Sequence, residues 1–501
     1  MKPFASEKYL HPDIVREVLG YLSTPQLAQA CRVSPLWYRL SFPLLHRNIE
    51  ITDSPKLVWL TERLEAEAPD DSNKLRISAC LRSLTLGFVT GLPPWPISGF
   101  QKVIPKLRRL RHLECCPAFN INEILALLQV FQTECPQLTM LTFGHWIDPF
   151  MPVIGAVRAD EPIPVFGNMT YLNLGWPVRS AMGGGKSVPR ELIDMIEKSP
   201  DLVTLALDGR LTKALCDIKN PLKKLRHIRL RIGDEQTETA CLLFLKQHPH
   251  ITELELFSRG PRFWHQNQGS TTPDLVQELF PAVTRLTVAP NTGIDFVTSK
   301  IADQLQVLSL NDEWYRLEEN LAYISELAAI TRPLPNLREL YFYHFSCVGS
   351  DPPSTIACQT ILDKLLTATP GLLVLDFSCF CFSPTGLLEL LKRVPLLRRL
   401  GVQVMDHAYT FENNMDMPAV VNNLLMKMRQ ICPGLREIRL SLVAPSQNRY
   451  RTLREVQEHL VWQGSVIGDK GKFKTNYYLP AQLADAQAAR QVAMGICGPR
   501  L

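Results

Sequence analysis

Leu81-Arg82-Ser83-Leu84-Thr85-Leu86 and, a few dozen residues later, Leu110-Arg111-His112-Leu113-Glu114-Cys115 are two copies of one phrase. Its pattern is apolar, two variable residues, apolar, one variable, apolar. The central apolar residue recurs thirteen times from Leu84 to Ile438, at roughly 30 residues per step. The intervening centres are Leu113, Leu141, Leu172, Leu205, Ile228, Leu254, Leu286, Leu308, Leu340, Leu375 and Leu400, often with a proline ahead of the phrase. The last two apolar residues alternate as in a strand, which turns both inward and the residue between them outward. A parallel ladder is predicted. Its outward row is Thr85, Glu114, Thr142, Asn173, Ala206, Arg229, Glu255, Thr287, Ser309, Tyr341, Asp376, Gly401 and Arg439.

Between the phrases, leucines at three- and four-residue spacing predict helices over 121–131, 191–197, 239–246, 273–280, 317–330, 356–366 and 385–393. One strand and one helix per step make a right-handed solenoid whose inward leucines are core. Binding information must then lie in the outward positions. Arg229 and Arg231 stand one repeat before Glu253 and Glu255, so these charges either pair across the ladder or form a binding patch, with Arg229 and Glu255 as its candidates. Tyr341 and Tyr343 flank Phe342 and share the outer face, and Tyr is a favoured interface anchor. Trp146, Trp176 and the Phe263-Trp264 pair are further aromatic residues, on loops.

Ahead of the repeats lies a different kind of sequence, Leu10-His11-Pro12-Asp13-Ile14, Val18-Leu19, Tyr21-Leu22, Leu27-Ala28, Cys31-Arg32-Val33-Ser34-Pro35-Leu36-Trp37. Pro12 suits a first helical turn, and Ile14, Val15, Val18, Leu19 and Leu22 follow at helical spacing. Ser23-Thr24-Pro25 and Ser34-Pro35 each read as a cap with proline just inside a helix. Three short helices fit the run. A unit of this size lacks the volume to bury all its apolar residues, so part of that surface is expected to meet a partner.

The order Pro-acidic-Ile, Val-Leu, Tyr-Leu, Leu, Cys-Arg-Val-Ser and Trp resembles the F-box over roughly positions 9–51, with His11 where the family usually has Leu. The phrases behind it resemble leucine-rich repeats without their usual Asn at the turn after the strand, a variable kind found in F-box proteins of fungal type. The resemblance implies an α/β fold class: an N-terminal three-helix F-box followed by a leucine-rich-repeat solenoid, a parallel β ladder with outer helices. Expected boundaries are 1–51 for the F-box, 52–79 for a linker helix, 80–445 for about thirteen irregular repeats, and 446–501 for a C-terminal cap and disordered tail. Within that last segment 453–460 and 481–494 read as helices and 464–474 as a loop.

In function, the resemblance implies the substrate-recognition subunit of an SCF-type cullin-RING ubiquitin ligase. The F-box would dock on a Skp-type adaptor, and through it on cullin, while the repeats hold a protein substrate whose identity the sequence does not give. Carried over by position, the adaptor-binding residues are Pro12, Ile14, Leu19, Leu22, Leu27, Val33, Ser34, Trp37 and Leu40, some of which must instead hold the three helices together. One alternative is an F-box scaffold with a non-proteolytic role. Another is a nucleotide-dependent enzyme using the Gly183–Ser187 loop with Lys186.

Composition sets bounds on these readings. A chain of 501 residues that is 46% hydrophobic and 21% charged is globular, and a net charge of +5 with no dense basic run beyond short pieces such as Lys106 to Arg111 and Lys223 to Arg231 calls for neither nucleic acid nor a membrane surface. Thirteen scattered cysteines point to a reducing compartment, and with no signal-peptide core or membrane span the expectation is cytoplasmic and/or nuclear. No cofactor or metal is expected, because Cys115-Cys116 and Cys379-Phe380-Cys381 lack zinc spacing. Gly-x-Ser-x-Gly and HExxH are absent. The run Ser180 to Ser187 imitates a phosphate-binding loop, but Ser180 stands where Gly is needed and Pro189 removes a backbone N–H close by. A flexible insertion explains it better, and the chain is read as a non-catalytic receptor.

Overall fold

The computed structural model describes residues 11–67, 75–87, 97–115, 121–143, 164–174, 190–207, 209–232, 235–258, 272–311, 317–329, 332–343, 352–405, 417–443, 460–469 and 472–478. The chain divides into two compact units, Met1–Leu225 and Arg226–Leu501.

The first unit opens with helices α1 (Pro12–Gly20), α2 (Thr24–Ala30) and α3 (Pro35–Leu45). Strands β1 (Asn48–Ile51), β2 (Ser83–Leu86), β3 (His112–Cys115), β4 (Met140–Phe143), β5 (Tyr171–Leu174) and β6 (Thr204–Leu207) then pair in parallel, each with the next. Returning helices are α4 (Ser54–Glu65), α5 (Ile77–Cys80), α6 (Ile97–Val103), α7 (Ile121–Glu134) and α8 (Arg190–Glu197). Register follows the phrase: Ile49, Leu84, Leu113, Leu141, Leu172 and Leu205 stand side by side on successive strands.

In the second unit β7 (His227–Ile232), β8 (Glu253–Ser258), β9 (Arg285–Val288), β10 (Val307–Asn311), β11 (Glu339–Tyr343), β12 (Val374–Phe382), β13 (Arg399–Met405) and β14 (Glu437–Val443) form the same kind of ladder. Ile228, Leu254, Leu286, Leu308, Leu340, Leu375, Leu400 and Ile438 line up across it. Helices α9 (Glu235–Lys246), α10 (Thr272–Leu279), α11 (Pro290–Thr298), α12 (Leu317–Ala329), α13 (Pro352–Thr367), α14 (Pro384–Leu391) and α15 (Met417–Ile431) make the returns. All thirteen phrase centres from Leu84 to Ile438 are buried. Full burial of a leucine is worth about 1.5–3 kcal/mol, so these aligned columns are the core of each unit.

A single turn joins helix to strand again and again. The residue before the proline, such as Cys135, Ser199, His248, Thr369 or Cys432, is buried, and its carbonyl accepts the N–H of the first phrase residue three positions on, at 3.1–3.3 Å. Proline at the second position of such a turn supplies the required φ without losing a needed donor. The Ser199 hydroxyl adds a second tie, donating to Met195 O at 2.8 Å and accepting from Met169 N at 3.1 Å. Burial pushes the Cys135 thiol up to about 12 and Cys432 up to about 11, and both Sγ atoms point at carbonyls of the preceding repeat. These two cysteines are core groups.

Each helix read from leucine spacing is present, with ends shifted by a few residues. Three features differ from the sequence reading. First, the ladder begins one repeat earlier, at Asn48, and 52–79 is that repeat's return: α4 buries Leu57, Leu60 and Leu64. The copy was hidden because His46 occupies the slot that holds Leu or another apolar residue elsewhere, ahead of Ile49 and Ile51. Second, α11 fills the short step between β9 and β10, where a Cβ on Gly293 would lie 3.1 Å from Leu310 Cδ2. Third, the predicted loop 464–474 falls within an antiparallel pair, β15 (Leu460–Asp469) and β16 (Lys472–Tyr478), with β15 added to the edge of β14. Residues 453–459 and the expected tail from 481 lie outside the described residues. Among the described residues no helix is long and apolar enough to cross a membrane.

His46 is packed between the rings of Phe42, at 4.3 Å, and Trp59, at 6.5 Å. Burial lowers its pKa from the ordinary 6.5, the Arg63 charge lowers it further, and Glu67 opposes both. The unfolded chain therefore binds this proton more readily. The contribution to stability is complete above about pH 6.5 and is lost as pH falls from there through the folded pKa. His46→Leu, which restores the phrase, is expected to flatten the decline in melting temperature between pH 7.5 and 5. An identical decline in both proteins would refute the assignment.

Candidate functional site

In the head, each helix start is fixed locally. Pro12 begins α1, and His11 supplies the cap that a leucine could not: its Nδ1 accepts from Asp13 N at 3.4 Å. Ser23 N donates to Gln26 Oε1 at 2.9 Å at the start of α2, and Ser34 Oγ accepts from Trp37 N at 3.3 Å at the start of α3. Ser41, fully buried, donates to Trp37 O at 2.6 Å and lies 3.0 Å from Cys31 Sγ, which ties the end of α2 to α3.

Of the nine residues carried over from the F-box resemblance, the structure sorts three groups. Leu19 and Leu27 sit in the core cluster with Val15 and Ala30, so their part is to hold the helices together. Leu22, Trp37 and Leu40 are half-buried against that cluster, and Ser34 is the α3 cap. Pro12, Ile14 and Val33 face solvent. Ile14 and Val18 on α1 and Tyr21 just past its end recur at four- and three-residue spacing, with exposures of 54%, 49% and 83%, and Val33 is 63% exposed. Ile14, Val18 and Tyr21 are spaced to fall on one side, which makes them a candidate interaction face, and Val33 is a further exposed apolar residue. Val18 and Tyr21 belong to it although they were not among the nine. Their positions between Ile14 and Leu22 were the available signal.

On the second unit's ladder, Arg229 faces Glu255 in register, with Nε 3.3 Å from Oε2, while His227 Nε2 lies 3.1 Å from Glu255 Oε1. Arg229 also stands over the Phe257 ring at 5.0 Å. Burial acts to raise the Glu255 pKa, but the His227 hydrogen bond and the charges of Arg229 and His227 outweigh it and hold the carboxyl below its ordinary value. Arg285 and Glu253 pair similarly at 3.5 Å. These charges satisfy one another across the strands.

Tyr341 and Tyr343 share one face of β11 with their rings stacked, centroids 5.5 Å apart and 11° from parallel. Tyr341 OH donates to Glu339 Oε2 at 2.7 Å. Burial, this hydrogen bond and the Glu339 charge all raise the Tyr341 pKa. Tyr343 is the exposed member. Two strands further on, a Cβ on Gly401 would fall 2.5 Å from Asp376 Oδ1, so the Asp376 carboxylate occupies the space of the missing side chain. The outward row is uneven in another way: Thr142, Asn173, Ala206 and Ser309 are buried, so it offers less polar surface than the sequence alternation implied.

His145, Trp146, Trp176, the Ser180–Ser187 run, Phe263, Trp264 and His344 lie outside the described residues. Among the described residues no group of three His, Cys, Asp or Glu is placed to hold a metal ion.

Residues 9–42 match the F-box domain family. The chain thus carries an F-box domain followed by a leucine-rich-repeat-like parallel ladder. No curated protein sequence matches it. Among solved structures it is similar to a chain of the yeast Rad7 and Elc1 complex, at 14% identity and a TM-score of 0.38, covering 81% of this chain and 89% of that one. It is also similar to an internalin, inlF, of Listeria monocytogenes, at 12% identity and a TM-score of 0.27, covering 78% and 89%.

Core and face in the head separate by mutation. Leu19→Ala is expected to cost about 2–5 kcal/mol through the cavity it leaves, and Ile14→Ala less than about 0.5 kcal/mol. Urea denaturation followed by helix signal measures both, and equal costs would show that Ile14 is also core.

Proposed function

We propose that the chain is the substrate-recognition subunit of an SCF-type cullin-RING ubiquitin ligase. The observation that carries the reading is the exposed apolar face of Ile14, Val18, Tyr21 and Val33 on helices that match the F-box. A Skp-type adaptor would cover it, with the half-buried Leu22, Trp37 and Leu40 at its margin and cullin reached through the adaptor. Leu19 and Leu27 would act from beneath by keeping α1 and α2 in place.

The repeats would hold the protein to be ubiquitinated, with the stacked Tyr341 and Tyr343 as first candidates for the contact. Arg229 and Glu255 are weaker candidates because a partner would have to compete with their mutual pairing. The receptor contributes position: a substrate lysine held near the charged conjugating enzyme reacts at a raised effective concentration. No side chain of this chain needs to enter the chemistry.

Ile14→Asp/Val33→Asp is expected to abolish co-purification of the adaptor from cells while the melting temperature stays unchanged. Tyr341→Ala/Tyr343→Ala is expected to keep the adaptor and lose the protein that accumulates on the head variant. Undiminished adaptor recovery with the first variant would overturn the docking surface. A client that binds without being turned over would favour a non-proteolytic scaffold.

A further inference from the structure

In the first unit, a cavity of about 720 Å³ opens where strands β1 to β4 begin, beside the end of α3. That volume lies within the roughly 300–1,000 Å³ of small-ligand sites. Arg47, Arg82, Arg109 and Arg111 line it, together with Ser83 and His112, and among the described residues none that lines it is Asp or Glu. Arg47, Arg82 and Arg111 hold the second position of three consecutive phrases, so the repeat itself stacks them in a column. The backbone fixes that column: Arg47 O accepts from Arg82 N and Ser83 N, and Arg82 O accepts from Arg111 N and His112 N, all at 2.8–3.1 Å.

Elsewhere in the repeats arginines of neighbouring strands are neutralised by glutamates, as in Arg229 with Glu255, Arg285 with Glu253 and Arg399 with Glu437. Among the described residues, the four cavity arginines have no such ion pair. Arg82 is aimed by two carbonyls, its Nη1 donating to Ala79 O at 3.0 Å and Leu81 O at 2.9 Å. Partial burial and the charges of Arg109, Arg111 and Arg47 all lower its pKa. Ser83 Oγ and His112 Nδ1, 3.0 Å apart, add polar groups, and burial lowers the His112 pKa against the opposing Glu114 charge. Like charges gathered without counterions destabilise the free protein, and a multivalent oxyanion bound among them relieves that repulsion. Guanidinium groups match phosphoryl oxygens in geometry as well as charge.

We propose that this cavity binds a compact anion bearing two or more phosphoryl groups, supplied either by a free small molecule or by adjacent phosphorylated side chains of a peptide. The site shares no lining residue with the face proposed for the adaptor and does not depend on it.

Calorimetric titration of the full-length chain with inorganic tripolyphosphate, at about 0.15 M salt, tests the proposal. Saturable binding of one anion per chain is expected, weakened at least about tenfold in Arg109→Gln/Arg111→Gln. Arg108→Gln, an exposed neighbour that does not line the cavity, should bind as the parent does. Circular dichroism checks folding, with Arg109→Gln alone as the second variant. A peptide with two adjacent phosphoserines, compared with its unphosphorylated form, separates the sources. Binding of that peptide assigns a phosphorylated chain, and binding of tripolyphosphate alone assigns a free small molecule. No saturable binding of either probe, or an equal loss in Arg108→Gln, overturns the site.

Discussion

One backbone carbonyl per repeat governs the ladder. At the second position of the phrase it accepts two N–H groups from the next repeat, as Arg111 O does from Thr139 and Met140 and Arg398 O does from Arg436 and Glu437. That double acceptance sets where each strand starts, and the start sets which residues face inward. A slip of one residue would turn every phrase leucine outward, which the loss of several kcal/mol per repeat forbids. Leucine columns, proline turns and the placement of every outward residue follow from it.

The repeats were legible in the sequence because this constraint needs apolar residues at fixed offsets, and thirteen copies make the pattern visible. The first copy was not, since His46 serves as an apolar filler only when its ring lies between Phe42 and Trp59 and its charge is suppressed. Residue type alone does not carry that environment. The β15–β16 pair escaped for a related reason: it closes an edge by antiparallel pairing and uses none of the repeat's offsets. In the head the sequence named the right helices but not the split between core and face. Leu19 and Leu27 look like Ile14 and Val33 as residues, and only packing separates them.

The outward row shows how far pattern reaches toward function. The pairing of Arg229 with Glu255 and the shared face of Tyr341 and Tyr343 both follow from phrase register. The arginine column of the cavity follows from it too, through the second phrase position, although its first member, Arg47, lies in the hidden copy. Head and ladder thus differ in kind. The head leaves apolar surface uncovered because it is too small to bury it, whereas the ladder buries its apolar residues repeat against repeat and leaves polar and aromatic groups outside.

Hydrogen–deuterium exchange of the full-length chain with and without a purified Skp-type adaptor tests this division most directly. The account predicts new protection over residues 12–22 and 31–38, with the strands from Asn48 onward unchanged. Protection centred on the strands, or none anywhere at saturating adaptor, would contradict it.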